Sequence, residues 1–416
     1  MNYPVNSQED NPGQAQTAYM HAWWITLTFV GFVLGYTLIS TLPHEVADEG
    51  FHGPQIWTFY TGQFSLVPQL TMPPTYHLII AAMMRACGFY NVDVLRFFSS
   101  CIGILGVPLM YALVCQFWPK EAGMRAIQWL FMPIVFPFFF LIYTDSWAML
   151  PLFGMLLLTL KRRHLLAALC GFLAICFRQT AVAWVGLAFL FTLLEDSTSA
   201  NGTPSLRRTL YRVSPYLAVF SLFLAFVFLN KGIALGDRSQ QAVHFNITNL
   251  YFFLITTCLL MLPYNLHQLP AILRYLKRPA VLVLVVLGLL FYLTTYSNTH
   301  QYNQPGLNVY LRNRLLQVMT ESLAWRAAFY IPTVWTALSL LTTKWPDKRL
   351  HWILPIVAIF VCLHPMIDIR YYFPALAIIL ALRPPMKPAW ELATVAFYLP
   401  LTAYLCFGIV QLRFFL

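Results

Sequence analysis

Charge is what this sequence has least of. Asp, Glu, Lys and Arg make up only 10% of its 416 residues, against about 25% in an ordinary soluble domain. A soluble chain of this length would need more water-facing charge, so lipid is the solvent for most of the surface. The sequence has no zinc-ligand spacing, no glycine-rich phosphate loop and no coiled-coil heptad. No internal repeat is visible, which counts against a transporter. The first twenty residues, MNYPVNSQEDNPGQAQTAYM, are polar and lack the basic n-region of a cleaved signal, so the first apolar run is expected to stay as a signal-anchor helix. The eight cysteines (Cys87, Cys101, Cys115, Cys170, Cys176, Cys258, Cys362 and Cys406) fall mostly in or beside apolar runs. They read as bilayer-buried thiols and offer no disulfide framework.

What is abundant is hydrocarbon: 59% of the residues are hydrophobic, interrupted by 27 prolines and 19 glycines. A spanning helix needs about 20 residues, fewer if it is broken or re-entrant. The apolar runs predict thirteen spans, near 22–42, 95–115, 123–142, 145–160, 164–178, 180–195, 214–230, 248–267, 280–297, 327–343, 351–364, 367–382 and 389–412. The expected fold class is an all-α polytopic membrane protein with about 11–14 spans. Its expected plan is a cytosolic tail over 1–21, a first transmembrane helix over 22–42, a large loop over 43–94 and a multi-span bundle over 95–416.

The net charge of +11 would suggest nucleic acid in a soluble protein. Here the basic residues cluster between apolar runs, which is the signature of membrane topology, and nucleic acid is not expected as a partner. With the N-terminus in the cytosol, every cytosolic loop between spans is basic and 16 of the 26 Lys and Arg residues lie on that side. Eight of the 15 acids lie opposite: Glu45, Asp48, Glu49, Asp93, Asp145, Asp237, Glu321 and Asp368. The large loop over 43–94 and the loops near 231–247 and 298–326 also lie there, so the chemistry is expected on the non-cytosolic face.

Five stretches stand out. HEVADEGFHGPQIW packs Glu45, Asp48, Glu49, His44 and His52 into nine residues. Such acids suit a general base, typically worth about 10²–10⁴-fold in rate, or cation binding; the plainer reading is a solvated loop. The spacing of the two histidines is poor for a metal, and no metal or cofactor is expected. QLTMPPTYHLII holds Pro73 and Pro74, which suit a helix start. ICFRQTA places Arg178 between two short spans, where a charge needs a partner, a phosphate or a carboxylate. NKGIALGDRSQQAVHF is a polar, Gly-punctuated loop carrying Lys231, Asp237, Arg238 and His244. In HPMIDIRYYFPAL, Asp368 and Arg370 form either a structural pair or a forked phosphate clamp. Acids on one loop and arginines on two others, all facing one aqueous side, suit an enzyme that takes a lipid-phosphate-linked substrate from the membrane.

These stretches resemble, in order and over nearly the whole chain, the eukaryotic dolichyl-phosphate-glucose-dependent alpha-1,2-glucosyltransferase family. ADEGFHGPQ looks like its acidic first-loop motif, followed by the Pro-Pro segment. YTDSWAM resembles its Tyr-Thr-acid stretch, FRQT is close to identical, NKGIALGDRS with the following HF is the most specific match, and IDIRYYFPAL resembles its last aromatic-Arg-Tyr segment. The resemblance implies a GT-C-type helix bundle with lumenal loops forming the active site, in the endoplasmic reticulum membrane or, for a prokaryotic source, the bacterial inner membrane. It implies a dolichyl-phosphate-glucose-like donor lipid, a lipid-linked oligosaccharide acceptor and transfer with inversion. On it, Asp48 is the expected base and Glu49 its helper. Arg370 and Arg178 are expected to hold the donor phosphate, and His52, Asp237, Arg238, Tyr371 and Arg314 to contact substrate. The chain departs from the family at Leu66-Val67-Pro68, where an acidic tripeptide is usual, and in NTHQYNQPGLNVYLRNR, where only Tyr310 and Arg314 look retained. The alternatives are another GT-C transferase such as a mannosyltransferase, a transporter, or a non-catalytic membrane partner.

Overall fold

The computed structural model describes residues 12–195, 206–236, 244–303 and 314–415. Helices dominate, and no strand occurs among the described residues. The chain enters through α1 (Pro12–Ile39). It then makes an excursion of short helices, α2 (Glu49–Tyr60) and α3 (Thr75–Cys87). Helix α3 ends at Gly88, whose left-handed φ of 77° lets the backbone turn out of the last helical turn. Next come α4 (Val92–Gly103) and α5 (Gly106–Val114). Asn91 caps α4 by accepting from the Asp93 amide at 2.7 Å, satisfying one of the orphan donors of the first turn.

The centre of the molecule is α6 (Ala122–Leu130), α7 (Thr144–Leu160), α8 (His164–Phe177) and α9 (Val182–Leu193). Helix α7 is buried on nearly every side, which its uniform apolarity requires: a helix hydrophobic all round has no face for water. After α10 (Leu206–Asn230) follow α11 (Ile247–Leu260), α12 (Leu262–His267), α13 (Leu269–Leu276) and α14 (Pro279–Thr295). The chain continues through α15 (Arg314–Glu321), α16 (Leu323–Thr342), α17 (Ile353–Cys362), α18 (Phe373–Leu382) and α19 (Pro388–Val410). Helix α18 is buried at every residue except Pro374. Around it the exposed residues of α1, α10, α14 and α19 are mostly Leu, Val, Ile and Phe, the surface of a bundle solvated by lipid.

The span count differs from the sequence expectation. Among the described residues, four segments can by length and apolarity cross a membrane singly: Ala22–Ile39, Val92–Val114, Leu206–Asn230 and Pro388–Val410. A fifth forms if α13 and α14, bent by 97° at the break between them, count together. Most of the other expected spans are apolar helices of 10–17 residues, α7, α8 and α11 among them. A hydropathy window sums apolar residues across a break as readily as along a helix. The run over 123–142 shows this: it is α6 followed by irregular chain and a short 3₁₀ turn, Phe136–Phe139, started by Pro137.

Candidate active site

The loop after α1 is held by a buried ion pair. The Glu49 carboxylate receives Arg96 at 2.7 and 3.2 Å, the Val46 amide at 3.0 Å and the Ile142 amide at 2.8 Å. Neither side chain of the pair reaches solvent. Arg96 spends its other donors on the Leu42 and His44 carbonyls, at 2.9 and 2.8 Å. One guanidinium and one carboxylate thus tie the loop to α4 and to the segment before α7. The loop turns at Ala47, whose φ of 50° is in the left-handed region that a side chain disfavours by about 1–2 kcal/mol. That turn faces the next residue, Asp48, the other way from Glu49.

Asp48 is the acid that meets a cavity of about 320 Å³. Its carboxylate accepts from Arg370 at 2.6 Å, and its amide donates to the Tyr143 hydroxyl at 2.9 Å. Arg370 is also gripped by Asp368, through Nε at 2.9 Å and Nη2 at 2.5 Å, and lies over the Tyr143 ring at 5.3 Å. Asp368 caps its own 3₁₀ turn by accepting the Arg370 amide at 2.9 Å. Arg178, in extended backbone at the end of α8, pairs with Asp145 at the start of α7 and lies over the Tyr371 ring at 5.8 Å. Two arginines and three carboxylates therefore meet at one wall.

His52 is on the same cavity, 2% exposed, with Nδ1 2.8 Å from Nε2 of the fully buried His77. Burial, followed by the nearby Arg370 and Arg178 guanidiniums, pushes its pKa down to about 3. Burial also holds His77 well below the ordinary histidine value. Both imidazoles are neutral at physiological pH. The cavity lining also includes the apolar Val182, Ala183, Phe223, Phe360 and Leu363.

A chain crossing closes the rim. The Leu235 amide donates to the Thr71 carbonyl at 3.0 Å, and the Gln179 side-chain amide donates to the Thr71 and Ile233 carbonyls at 2.5 and 3.1 Å. Gly236, at φ 35°, brings its backbone so close to the Pro68 and Leu70 carbonyls that a Cβ has no room there.

Five sequence-predicted residues are thus placed near one another: Asp48, His52, Arg178, Arg370 and Tyr371 all line the cavity. Glu49 is beside Asp48 in the chain but outside the cavity, under Arg96. Arg314 starts α15, is exposed and does not line the cavity. Asp237 and Arg238 lie outside the described residues, as does Tyr310. Sequence reasoning gave no site role to Asp145, Tyr143, His77 or His364. Each lies in a stretch that stands out in the sequence, Tyr143 and Asp145 in YTDSWAM, His77 in QLTMPPTYHLII and His364 in HPMIDIRYYFPAL, but only the fold shows which of their side chains come to the site. No three or more His, Cys, Asp or Glu side chains among the described residues form a group able to hold a metal ion.

Comparison with known proteins shows the family of the chain. The profile of the DIE2/ALG10 family matches residues 42–209 and 194–381. Relatives named Dol-P-Glc:Glc(2)Man(9)GlcNAc(2)-PP-Dol alpha-1,2-glucosyltransferase include one from Kluyveromyces lactis, 25% identical over 330 residues, which covers 70% of this chain. The matched stretch spans 61% of that yeast protein. A human relative of the same name is 23% identical over 410 residues, covering 84% of this chain and 86% of its own length. One from Drosophila melanogaster is 24% identical over 324 residues, covering 68% and 72% respectively. No solved structure matches. The family match takes in the acidic turn, both arginines and the rim, and by it this chain belongs to the DIE2/ALG10 family.

Proposed function

We propose that this protein is a membrane glucosyltransferase that moves glucose from a dolichyl-phosphate donor to a lipid-linked oligosaccharide, in the assembly of the N-glycan precursor. The relatives' names supply the donor, the acceptor and the alpha-1,2 linkage. The observation that carries the reading is the cavity itself. A carboxylate and two arginines line it together with apolar side chains that suit a prenyl chain.

Asp48 takes the proton of the acceptor hydroxyl. The freed oxygen attacks the anomeric carbon of the donor while the bond from that carbon to the phosphate oxygen breaks. The phosphate leaves with the electron pair, and a single displacement inverts the anomeric centre. The two arginines divide the remaining work. Arg370 is taken up by Asp368 and Asp48, so its part is to hold Asp48 toward the cavity. Arg178 pairs with Asp145 and lies over a ring face, and its forked donors suit a phosphate. Glu49 fixes the turn that presents Asp48 and does not touch substrate. Asp237 and Arg238, in the segment that continues from the rim, contact the sugar, as do Tyr371 and His52; Arg314 belongs with acceptor recognition.

On this reading the membrane is that of the endoplasmic reticulum and the cavity faces its lumen. The GT-C class assignment rests on the same donor chemistry. The test is glucose transfer by the purified protein in detergent, with a short-chain polyprenyl-phosphate glucose and a synthetic lipid-linked acceptor. Asp48→Asn is expected to lower transfer by about 10²–10⁴-fold at unchanged thermal stability. Transfer with the mannose donor alone would replace the glucosyl assignment with a mannosyl one. Full activity of a folded Asp48→Asn protein would end the base assignment.

A further inference from the structure

The His52–His77 pair is a buried hydrogen bond between two rings that each carry one proton. With Nδ1 of His52 against Nε2 of His77 at 2.8 Å, one of these two nitrogens carries a proton and the other does not. Each choice fixes the far side of both rings, because a neutral imidazole is a donor at one nitrogen and an acceptor at the other. If the proton is on His52 Nδ1, then His52 Nε2 is bare and His77 must carry its proton on Nδ1. If the proton is on His77 Nε2, the pattern reverses.

The surroundings of His77 choose between them. With Nε2 engaged by His52, the backbone group that interacts with the rest of the ring is the Pro74 carbonyl, one turn back. That oxygen also accepts the Leu78 amide at 2.9 Å. Its alignment with Nδ1 falls short of a full hydrogen bond, but a carbonyl can only accept. A proton on Nδ1 is attracted to it, and a bare lone pair there is repelled. The His52 ring cannot turn to exchange its nitrogens freely. It packs edge-on against Tyr143 with centroids 5.4 Å apart and against Tyr76 at 6.2 Å, and lies nearly parallel to His77 at 5.1 Å. Its remaining polar atom, Nε2, is the one left for the cavity.

We propose that His77 is a positioning residue that holds the proton of His52 on Nδ1, so that His52 presents a bare Nε2 to the cavity as an acceptor for a sugar hydroxyl. The chemistry of the site supports the division. The arginines offer only donors and select phosphate oxygens; a bare imidazole nitrogen repels those oxygens and accepts from a hydroxyl. The two arginines also oppose a second proton on His52, which keeps that nitrogen an acceptor. The proposal rests on the reading of the cavity as a sugar-transfer site, and its first test does not require activity.

That test is ¹⁵N-histidine NMR of the purified full-length protein, with the His52 signals assigned by their loss in His52→Gln. The expected result is a protonated Nδ1 and an unprotonated Nε2. In His77→Leu the proton is expected to move to Nε2, and in His77→Gln, whose amide oxygen accepts from Nδ1–H, to return to Nδ1. The second test measures transfer with donors and acceptors each lacking one hydroxyl. Wild type is expected to penalise one such analogue by about tenfold or more in kcat/KM. His77→Leu is expected to lose that penalty and His77→Gln to keep it. Which substrate shows the penalty identifies the owner of the hydroxyl. A wild-type His52 protonated on Nε2 would overturn the proposal whatever the activity, and it stands on that spectrum even if His77→Leu fails to fold. The expected tautomer with no analogue penalised on either substrate would overturn the role in sugar binding while leaving the transfer reading intact.

Discussion

Glu49 and Asp48 are neighbours in an acidic motif, and replacing each by its amide separates structure from chemistry. Glu49→Gln keeps the shape of the side chain and removes its charge. Arg96 is then a cation without its carboxylate, at a point neither side chain lets solvent reach. Breaking a buried pair from one side costs about 3–5 kcal/mol, because the other charge is left uncompensated. The Val46 and Ile142 amides, which donate to the same carboxylate at 3.0 and 2.8 Å, keep only a weaker neutral acceptor. For a chain of this length the expected fall in thermal midpoint is about 3–6 °C. The assay is a thermal ramp in detergent with a thiol-reactive fluorophore, which reports on the buried Cys258, Cys362 and Cys406 as they become accessible. Transfer falls in the same protein because the turn presenting Asp48 loosens. Pairing Glu49→Leu with Arg96→Met removes both charges, and such replacements are often neutral in stability. The double variant is therefore expected to regain most of the midpoint without regaining activity. A Glu49→Gln protein that melts with wild type yet transfers no glucose would refute the reasoning, since Glu49 would then act on the reaction itself.

Three further expectations follow from the site. His52 and His77 are neutral in the fold, His52 down to a pKa of about 3, and basic in the unfolded chain near 6.5. The unfolded chain takes up the protons, so stability is fully present above pH 6.5 and declines as pH falls toward 3, by up to about 1.4 kcal/mol per pH unit for each histidine. Melting curves between pH 5 and 8 check this, and a midpoint that rises on acidification in wild type relative to His52→Gln would contradict it. Arg178→Lys loses the forked geometry and is expected to raise the donor KM by roughly 10–100-fold, the equivalent of a charged hydrogen bond, with the acceptor KM unchanged. Gly236→Ala meets the Pro68 and Leu70 carbonyls. It is expected to open the rim, read as faster proteolysis between residues 231 and 243 and a higher donor KM.

The sequence already carried the membrane class and much of the cavity wall. Arg178 and Arg370 were legible because a charge beside apolar residues is costly, and Asp48 because its acidic cluster resembles the family's first-loop motif. The partners of those charges were not. Arg96 opens an apolar run, and a topology count treats it as one more basic residue; nothing in its neighbourhood points to Glu49, 47 positions away. His77 follows a Pro-Pro helix start and reads as interfacial until the fold sets it against His52. The span count differs from the run count for a related reason. Apolarity records that a residue avoids water, and in this molecule α18 avoids it inside the protein rather than in lipid.

The bond between Asp48 and Arg370 joins residues 322 positions apart. During synthesis the acid leaves the ribosome early and waits for its guanidinium through most of the chain. A product that stops short of Arg370 carries the base and Arg178 but lacks the clamp that aims the base. The rim behaves likewise, since Thr71, Gln179 and Leu235 meet only after α10 has been made. The charged wall of the cavity is therefore complete only near the end of translation, when Arg370 reaches Asp48.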